Sequence, residues 1–135
     1  MIYRKKNPLE GRKWYRYYFF SKAEVTVLED KTVINASIAN ISFAGIGLYS
    51  STPIEMGKKV KISISFIDSN GKIQKDFIEG RVEWLSKLES IYLIGIFFDE
   101  ELNIFTQPTL LKHLAWLTNT YNLPQPYQDK RISIL

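Results

Sequence analysis

Residues 59–73, with the sequence KVKISISFIDSNGKI, carry the clearest structural pattern of this 135-residue chain. Apolar residues alternate with lysine and serine from 59 to 66, and this period of two predicts a strand with one buried and one wet face. The strand runs into residues 68–71 (DSNG), where the Asn-Gly pair tolerates the positive φ that tight hairpin turns require. The stretch therefore predicts an antiparallel hairpin whose return strand covers roughly residues 72–84.

The same alternation continues on both sides of this hairpin, with short turns between the runs. Residues 29–31 form one such turn, and residues 50–53 (SSTP) interrupt the pattern again. The predicted strands are 23–27, 32–41, 46–49, 59–66, 72–84 and 91–98. The last of these is almost entirely apolar, so we expect it to be buried on both faces.

A helix is predicted near the C-terminus. Thr106 is a plausible cap, and Pro108 is suited to the first turn because its missing N–H would have no helical partner there. Apolar side chains then recur at helical spacing, at Leu110, Leu111, Leu114, Leu117 and Tyr121. Pro124 and Pro126 are expected to end the helix.

Some six short strands followed by one helix predict a mainly β protein, a small antiparallel β-barrel with the helix packed at its end. Closing the sheet would also leave no long edge exposed. We divide the chain into a basic arm (1–20), the barrel with its helix (21–121) and a tail (122–135). The sequence leaves open whether the tail is disordered or docked.

The composition bounds the function. A chain of this length with 45% hydrophobic residues is expected to fold as one soluble domain. It has no cysteine and a single histidine, His113, so we expect neither a metal site nor thiolate or histidine catalysis. The acidic residues at 99–101 lie just before the predicted helix, where acidic loops are common. We therefore do not interpret them as catalytic carboxylates, and we expect no enzyme. No secretion signal or membrane-length apolar run is evident, which predicts a cytoplasmic protein.

Positive charge is concentrated at the start of the chain. Residues 1–22 hold seven lysines and arginines against one glutamate, a local charge of +6, whereas the whole chain carries +4. Positive charge concentrated at one end is rarely needed for folding, so it indicates that the arm binds an anionic ligand. The leading cations at 4–6 are interpreted as a solvated terminus, although they would also attract an anion.

Two short motifs carry the candidate chemistry, Arg12-x-x-x-Arg16 in the arm and Asn40-x-Ser42-x-x-Gly45 at the end of the second predicted strand. Each guanidinium offers a planar fork of donors that matches a phosphate or a guanine edge. The second motif also fits an ordinary turn, in which two polar side chains bond the backbone and the glycine takes a positive φ. In a small barrel, the arm can fold back onto this turn.

The two motifs together resemble the PilZ domain, a bacterial receptor for cyclic di-GMP. The resemblance extends from about Gly11 to the helix near Tyr121, and includes Val82-Glu83-Trp84 and the stretch 95–98 (GIFF) before the helix. It implies a six-stranded barrel with a C-terminal helix, and an N-terminal arm that wraps a cyclic dinucleotide.

The resemblance also implies roles for these residues. Arg12 and Arg16 would contact guanine edges and phosphates, and Asn40 and Ser42 would hold a guanine or its phosphate. Gly45 would keep the turn tight enough for a close approach. Many family members have Asp at the position of Asn40, and a carboxylate is the stronger acceptor.

Trp84 has two interpretations. One is a residue that packs on a base, and the other is a core or rim residue on the same strand face as Ile78 and Val82. The sequence leaves both open.

The expected function is a cyclic di-GMP receptor or adaptor that changes conformation on binding and signals through an effector protein. The alternative is a ligand-independent PilZ-fold interaction module, disfavoured because all five motif positions are present. A pI near 9.2 and eight tyrosines also suit a nucleic-acid binder. The charge is confined to the arm, however, so we expect no long nucleic acid and no membrane insertion.

Overall fold

The computed structural model describes residues 21–121, with side chains up to residue 119. The arm (1–20) and the tail (122–135) lie outside the described residues, and with them Arg12 and Arg16. The elements in chain order are β1 (Lys22–Val27), β2 (Val33–Ile41), β3 (Gly45–Ser50), β4 (Lys59–Ile67), β5 (Ile73–Leu88), β6 (Ile91–Phe98) and α1 (Pro108–Tyr121).

The six strands form a closed antiparallel barrel in the order β1-β2-β3-β6-β5-β4. This confirms the predicted fold class, a barrel followed by a C-terminal helix. Alternate residues of each strand point inwards, and the most deeply buried include Val25, Ile62 and Ile94, each with no exposed surface. The core is therefore built from the period of two seen in the sequence.

The helix α1 packs on the barrel through Leu110 and Leu114, both fully buried. Its first turn is capped from a strand, because the backbone N–H of Leu110 donates to a carboxylate oxygen of Asp76, at 2.6 Å. Asp76 lies on β5 and is only 9% exposed. Negative charge at this position complements the positive end of the helix.

The prediction of Thr106 as the helix cap is wrong. The helix begins at Pro108, so residue 107 directly precedes it, and the Thr106 hydroxyl donates to the side chain of Gln107 instead. Asp76 supplies the capping acceptor from a distant strand, a contact that local sequence spacing cannot reveal.

Two further predictions need correction. The strand β5 continues to Leu88, which pairs with Ile91 across a tight turn where Glu89 adopts a φ of 57°. The strand β6 is not buried on both faces, since Ile91 and Phe97 on its outer face are 43% and 57% exposed. That outer face is apolar and yet accessible.

Within the part of the chain described, α1 has neither the length nor the apolarity of a membrane-spanning helix.

Candidate functional site

The turn between β2 and β3 is held by its own serine. The Ser42 hydroxyl accepts hydrogen bonds from the backbone N–H groups of Ala44 and Gly45, at 3.2 and 3.3 Å. The Ser42 N–H donates to the Gly45 carbonyl at 2.9 Å. The serine of the second motif therefore fixes the shape of the turn, as the sequence-based turn interpretation expected. The same interpretation expected the Asn40 side chain to bond backbone groups, and this is wrong for the described residues.

Gly45 is needed here for a different reason than predicted. Positive φ values occur among residues 21–121 only at Lys31, Gly57, Gly71 and Glu89, so the expected positive φ at Gly45 is wrong. Instead, a Cβ at Gly45 would lie 2.6 Å from the carbonyl oxygen of Ile96 on β6. Only glycine lets the end of the turn pass this close to the neighbouring strand.

A row of four residues crosses the outer face of the barrel next to this turn. Asn40 on β2 pairs with Gly47 on β3, which pairs with Gly95 on β6, which pairs with Trp84 on β5. The two glycines project no side chain on this face, and their backbone is buried beneath the larger residues at the two ends of the row. The pair therefore forms a low floor on which Asn40 and Trp84 lie close to the barrel, and interior strand glycines often mark such a close approach.

The side chain of Asn40 leans over the near end of this floor. A Cβ on Gly47 would lie 3.1 Å from the amide nitrogen and 3.4 Å from the amide oxygen of Asn40. Asn40 itself is partly exposed, and no other described residue hydrogen-bonds its side-chain amide. The amide is therefore positioned to exchange hydrogen bonds with a molecule lying over the glycine floor.

Trp84 covers the far end of the floor. A Cβ on Gly95 would lie 2.1 Å from Cε2 of the indole, so the ring rests directly on the glycine backbone. The ring is thus on the outer face, whereas Val82 is 1% exposed and inside the barrel. The interpretation of both residues on one face is wrong, because a register shift between them makes Glu83 an extra bulge residue.

Two more aromatic rings lie on opposite sides of the row, along the direction of the strands. Tyr49, two residues beyond Gly47, is 43% exposed, and Phe97, two residues beyond Gly95, is 57% exposed. Sequence reasoning found Trp84 but missed these two rings and the glycine pair. The sequence signal for the glycine pair was the presence of glycine inside two predicted strands. A count of alternating apolar and polar residues assigns glycine to neither class and so overlooks it.

The first described residue shows where the arm joins the barrel. The Ile38 N–H donates to the Ser21 carbonyl at 2.9 Å, and the Ser21 hydroxyl donates to the Ser65 carbonyl. Ser21 thus sits between β2 and β4, near the end of β2 that leads into the Ser42 turn. The predicted placement of Arg12 and Arg16 lies outside the described residues and stays a prediction.

The lone histidine lies away from this surface. His113 on α1 is 7% exposed and stacks between Phe66 and Trp116, with ring centroids 4.5 and 5.6 Å away. Burial lowers the pKa of its imidazole below the ordinary 6.5, partly opposed by the charge of Asp68. These contacts are those of a packed core side chain.

The comparisons with known proteins agree with the fold. The family model described as PilZ domain matches residues 10–115. No protein among those with curated functions matches the sequence.

Three solved structures share the architecture. MrkH from K. pneumonia in its apo state superposes with a TM-score of 0.63 at 18% identity, over 90% of this chain and 55% of that one. MotI/DgrA, an inhibitor of motility from Bacillus subtilis, gives 0.62 at 15% identity, over 80% and 52%. The PilZ domain of YcgR from Escherichia coli with c-di-GMP gives 0.53 at 13% identity, over 82% and 97%. The chain spans about half the length of the MrkH and MotI/DgrA chains.

Proposed function

Because this chain belongs to the PilZ domain family, we propose that it is a cytoplasmic, non-enzymatic receptor for cyclic di-GMP that signals through a partner protein. The ligand has two guanines and two phosphates, so its site needs ring surfaces, hydrogen-bonding groups and positive charge. The outer face beside the Ser42 turn offers the first two, and the arm offers the third.

The observation that carries the proposal is the row Asn40–Gly47–Gly95–Trp84. It crosses three interstrand spacings, about 14 Å in total. A planar base can stack on the indole here, because the ring lies flat over Gly95 and neither glycine projects a side chain that would lift it. Stacking on Trp84 would be worth about 1–3 kcal/mol per base, while the Asn40 oxygen accepts from guanine N–H groups.

The length of the arm allows its arginines to reach this row. Arg16 precedes Ser21 by five residues, and an extended chain spans at most about 3.3–3.6 Å per residue, so the chain permits a separation of up to about 18 Å from Ser21. Ser21 is hydrogen-bonded to Ile38, close to Asn40 on the same strand. Arg16 and, further out, Arg12 can therefore close over a ligand that rests on the glycine floor.

In this proposal, ligand binding orders the arm against the barrel. The forked guanidinium groups of Arg12 and Arg16 bind phosphates and guanine edges, and their attachment to the ligand ties the arm to the Ser42 turn. Order gained by a charged segment on binding a phosphate ligand is a common way of presenting a new surface to a partner.

The structural neighbours support the fold alone, because their identities to this chain are only 15%, 13% and 18%. The YcgR domain was determined with c-di-GMP. For this chain the choice of ligand rests on its membership of the PilZ domain family and on its own two motifs.

The test is a calorimetric titration of the full chain with cyclic di-GMP, comparing Asn40→Leu with Asn35→Leu. Asn35 lies on the outer face of the same strand and is exposed, away from the floor. Asn40→Leu should lower the affinity by about tenfold or more, since it removes an acceptor and places apolar bulk at the floor. Asn35→Leu should bind like the wild type.

Two outcomes would contradict the receptor proposal. One is the absence of both heat and any change in tryptophan fluorescence with the wild type at micromolar ligand. The other is equal loss of affinity in both variants, which would place the ligand elsewhere. Salt-sensitive retention of a single-stranded oligonucleotide, without preference for the cyclic ligand, would instead indicate a general nucleic-acid binder.

A further inference from the structure

Residues 103–107, in the connection between β6 and α1, form a tightly hydrogen-bonded turn. The Asn103 carboxamide oxygen accepts from the N–H groups of Phe105 and Thr106, both at 3.0 Å. The Gln107 oxygen accepts from the Asn103 N–H at 3.1 Å, and its amide nitrogen donates to the Phe77 carbonyl on β5 at 3.1 Å. Gln107 is only 5% exposed, so the turn is anchored into the barrel.

This anchored turn holds two apolar side chains in water. Ile104 is 58% exposed and Phe105 is 88% exposed. Neither contributes to the core, and the hydrogen bonds that fix the turn involve only its polar side chains and its backbone. A large aromatic side chain held by a fixed turn in an exposed position is typical of an anchor that fills a pocket on another molecule.

The surroundings of the turn are acidic. A groove of about 300 Å³ runs beside it, lined by Phe77, Thr106 and the carboxylates of Glu79, Asp99 and Glu100. Lys61 also lines the groove, with its amine 5.2 Å from the centre of the Phe77 ring. Asp99 pairs with the neighbouring Lys59 at 2.5 Å. Carboxylates thus outnumber amines among the described residues here, and the charge favours a basic counterpart.

The turn is also joined to the candidate ligand site. The Phe98 N–H donates to the Ala44 carbonyl at 2.8 Å, and the Leu102 N–H donates to the Phe43 carbonyl at 2.9 Å. Residues 98–102 therefore link the Ser42 turn directly to residues 103–107. A change in the Ser42 turn on ligand binding has a short covalent and hydrogen-bonded path to Phe105.

We infer that Ile104 and Phe105 are the anchor by which this chain docks onto its protein partner, one with an apolar pocket bordered by lysine or arginine side chains. The apolar pair fills the pocket, and Glu100 and its neighbours meet the basic border. The inference rests on the proposed function only where it links docking to cyclic di-GMP, since the exposed turn at Ile104 and Phe105 is present without the ligand.

The charge argues against two other occupants. Anionic lipid headgroups would be repelled by the excess of carboxylates over amines here, since Lys59 and Lys61 offset Asp99 and Glu79 but leave Glu100. In a symmetric dimer of this chain, the same acidic groove would face its own copy. A basic partner protein is the occupant that the observations favour.

The experiment places the photo-reactive residue p-benzoylphenylalanine at position 105 of the full chain, in cells that natively express it. The matched control carries it at position 88, because Leu88 is apolar and 49% exposed but lies at the far end of β5. Along that strand it is roughly 35 Å from Phe77, which borders the groove. We expect a protein adduct from position 105 that position 88 does not give. No adduct, the same adduct from both positions, or an adduct with a second copy would each overturn the inference.

The captured protein is then purified and titrated with three chains, the wild type, Phe105→Ala and Glu100→Gln. Phe105→Ala should weaken binding by at least about tenfold with unchanged thermal unfolding. Glu100→Gln should weaken binding mainly at low salt. Equal affinity of wild type and Phe105→Ala would overturn the inference, as would Phe105-dependent sedimentation with phosphatidylglycerol vesicles.

The docking inference and the receptor proposal fail separately. Titration of the purified captured protein without cyclic di-GMP tests the docking surface alone, whereas the calorimetric titration with cyclic di-GMP tests the ligand alone.

Discussion

The indole of Trp84 rests on the backbone of Gly95, so closely that a methyl group on this glycine would lie 2.1 Å from Cε2 of the ring. The two residues pair across β5 and β6, one position past a bulge. The bulge turns this apolar side chain outwards, and the contact with Gly95 lets it lie flat on the barrel surface. The proposed ligand site depends on that orientation.

Gly95→Ala should therefore displace the Trp84 ring and weaken cyclic di-GMP binding. Loss of one base stacking partner costs about 1–3 kcal/mol, roughly 5- to 150-fold in affinity. The ring displacement is measured by ¹⁹F NMR of chains labelled with 5-fluorotryptophan, and the affinity by calorimetry.

A double-mutant cycle is the control for this prediction. In a Trp84→Ala background there is no ring to displace, so adding Gly95→Ala should change the affinity little. Additive losses in the two variants would show that Gly95 acts independently of the indole and would contradict the account.

Ser42→Ala removes the acceptor for the N–H groups of Ala44 and Gly45. We expect the free energy of unfolding to fall by about 1–2 kcal/mol, since partly buried donors lose their partner. Ser63→Ala on the outer face of β4 is the control, because that hydroxyl makes no hydrogen bond with another described residue. Equal thermal unfolding midpoints for Ser42→Ala and the wild type would count against the role assigned to the turn.

Asp76→Ala removes the acceptor that caps the helix α1 at Leu110. The buried N–H would lose its partner, so we expect a loss of about 1–3 kcal/mol in urea unfolding. Asp76→Asn keeps an acceptor at the same position and should lose less. If both variants unfold like the wild type, the helix does not depend on this contact.

His113 should make stability pH-dependent. Its pKa is lowered in the folded protein by burial, so the neutral form is favoured there. Well above pH 6.5 the imidazole is neutral in both states, and its contribution to stability is fully present. As pH falls below 6.5 the unfolded chain takes up the proton first, and stability is lost down to the folded pKa.

The test compares thermal midpoints at about pH 8 and about pH 5 for the wild type and His113→Phe. Phe keeps the stacking on Phe66 and Trp116, so the variant should lose less of its midpoint on acidification. Asp68, whose charge acts on His113, stays ionised between these two pH values. A hydrogen bond from Gln74 lowers the pKa of its carboxyl below the ordinary 3.8. An identical pH dependence in both chains would contradict the assignment.

The fold could be predicted because it rests on local patterns. Alternation gives the strands, the Asn70-Gly71 turn gives the hairpin, and Pro108 marks the start of the helix. These signals act within a few residues, so one sequence is enough to find them.

The site was only partly predictable, because its geometry depends on contacts between distant segments. The bulge at Glu83 reverses the face of Trp84 without a sequence signal, and Asp76 on β5 caps a helix that begins only after β6. Phe97 was expected to be buried because it is apolar, whereas it is 57% exposed on the outer face. Composition alone does not distinguish an apolar residue on an accessible face from one in the core.

The most direct test of the central claim is calorimetric titration of the full chain with cyclic di-GMP, comparing the wild type, Arg16→Ala and Lys5→Ala. If the arm closes over a ligand on the glycine floor, the wild type binds at low micromolar ligand or below, and Arg16→Ala loses about tenfold or more. Lys5→Ala, which removes one charge at the far end of the arm, should change the affinity little. No binding by the wild type, or an unchanged affinity in Arg16→Ala, would contradict the account.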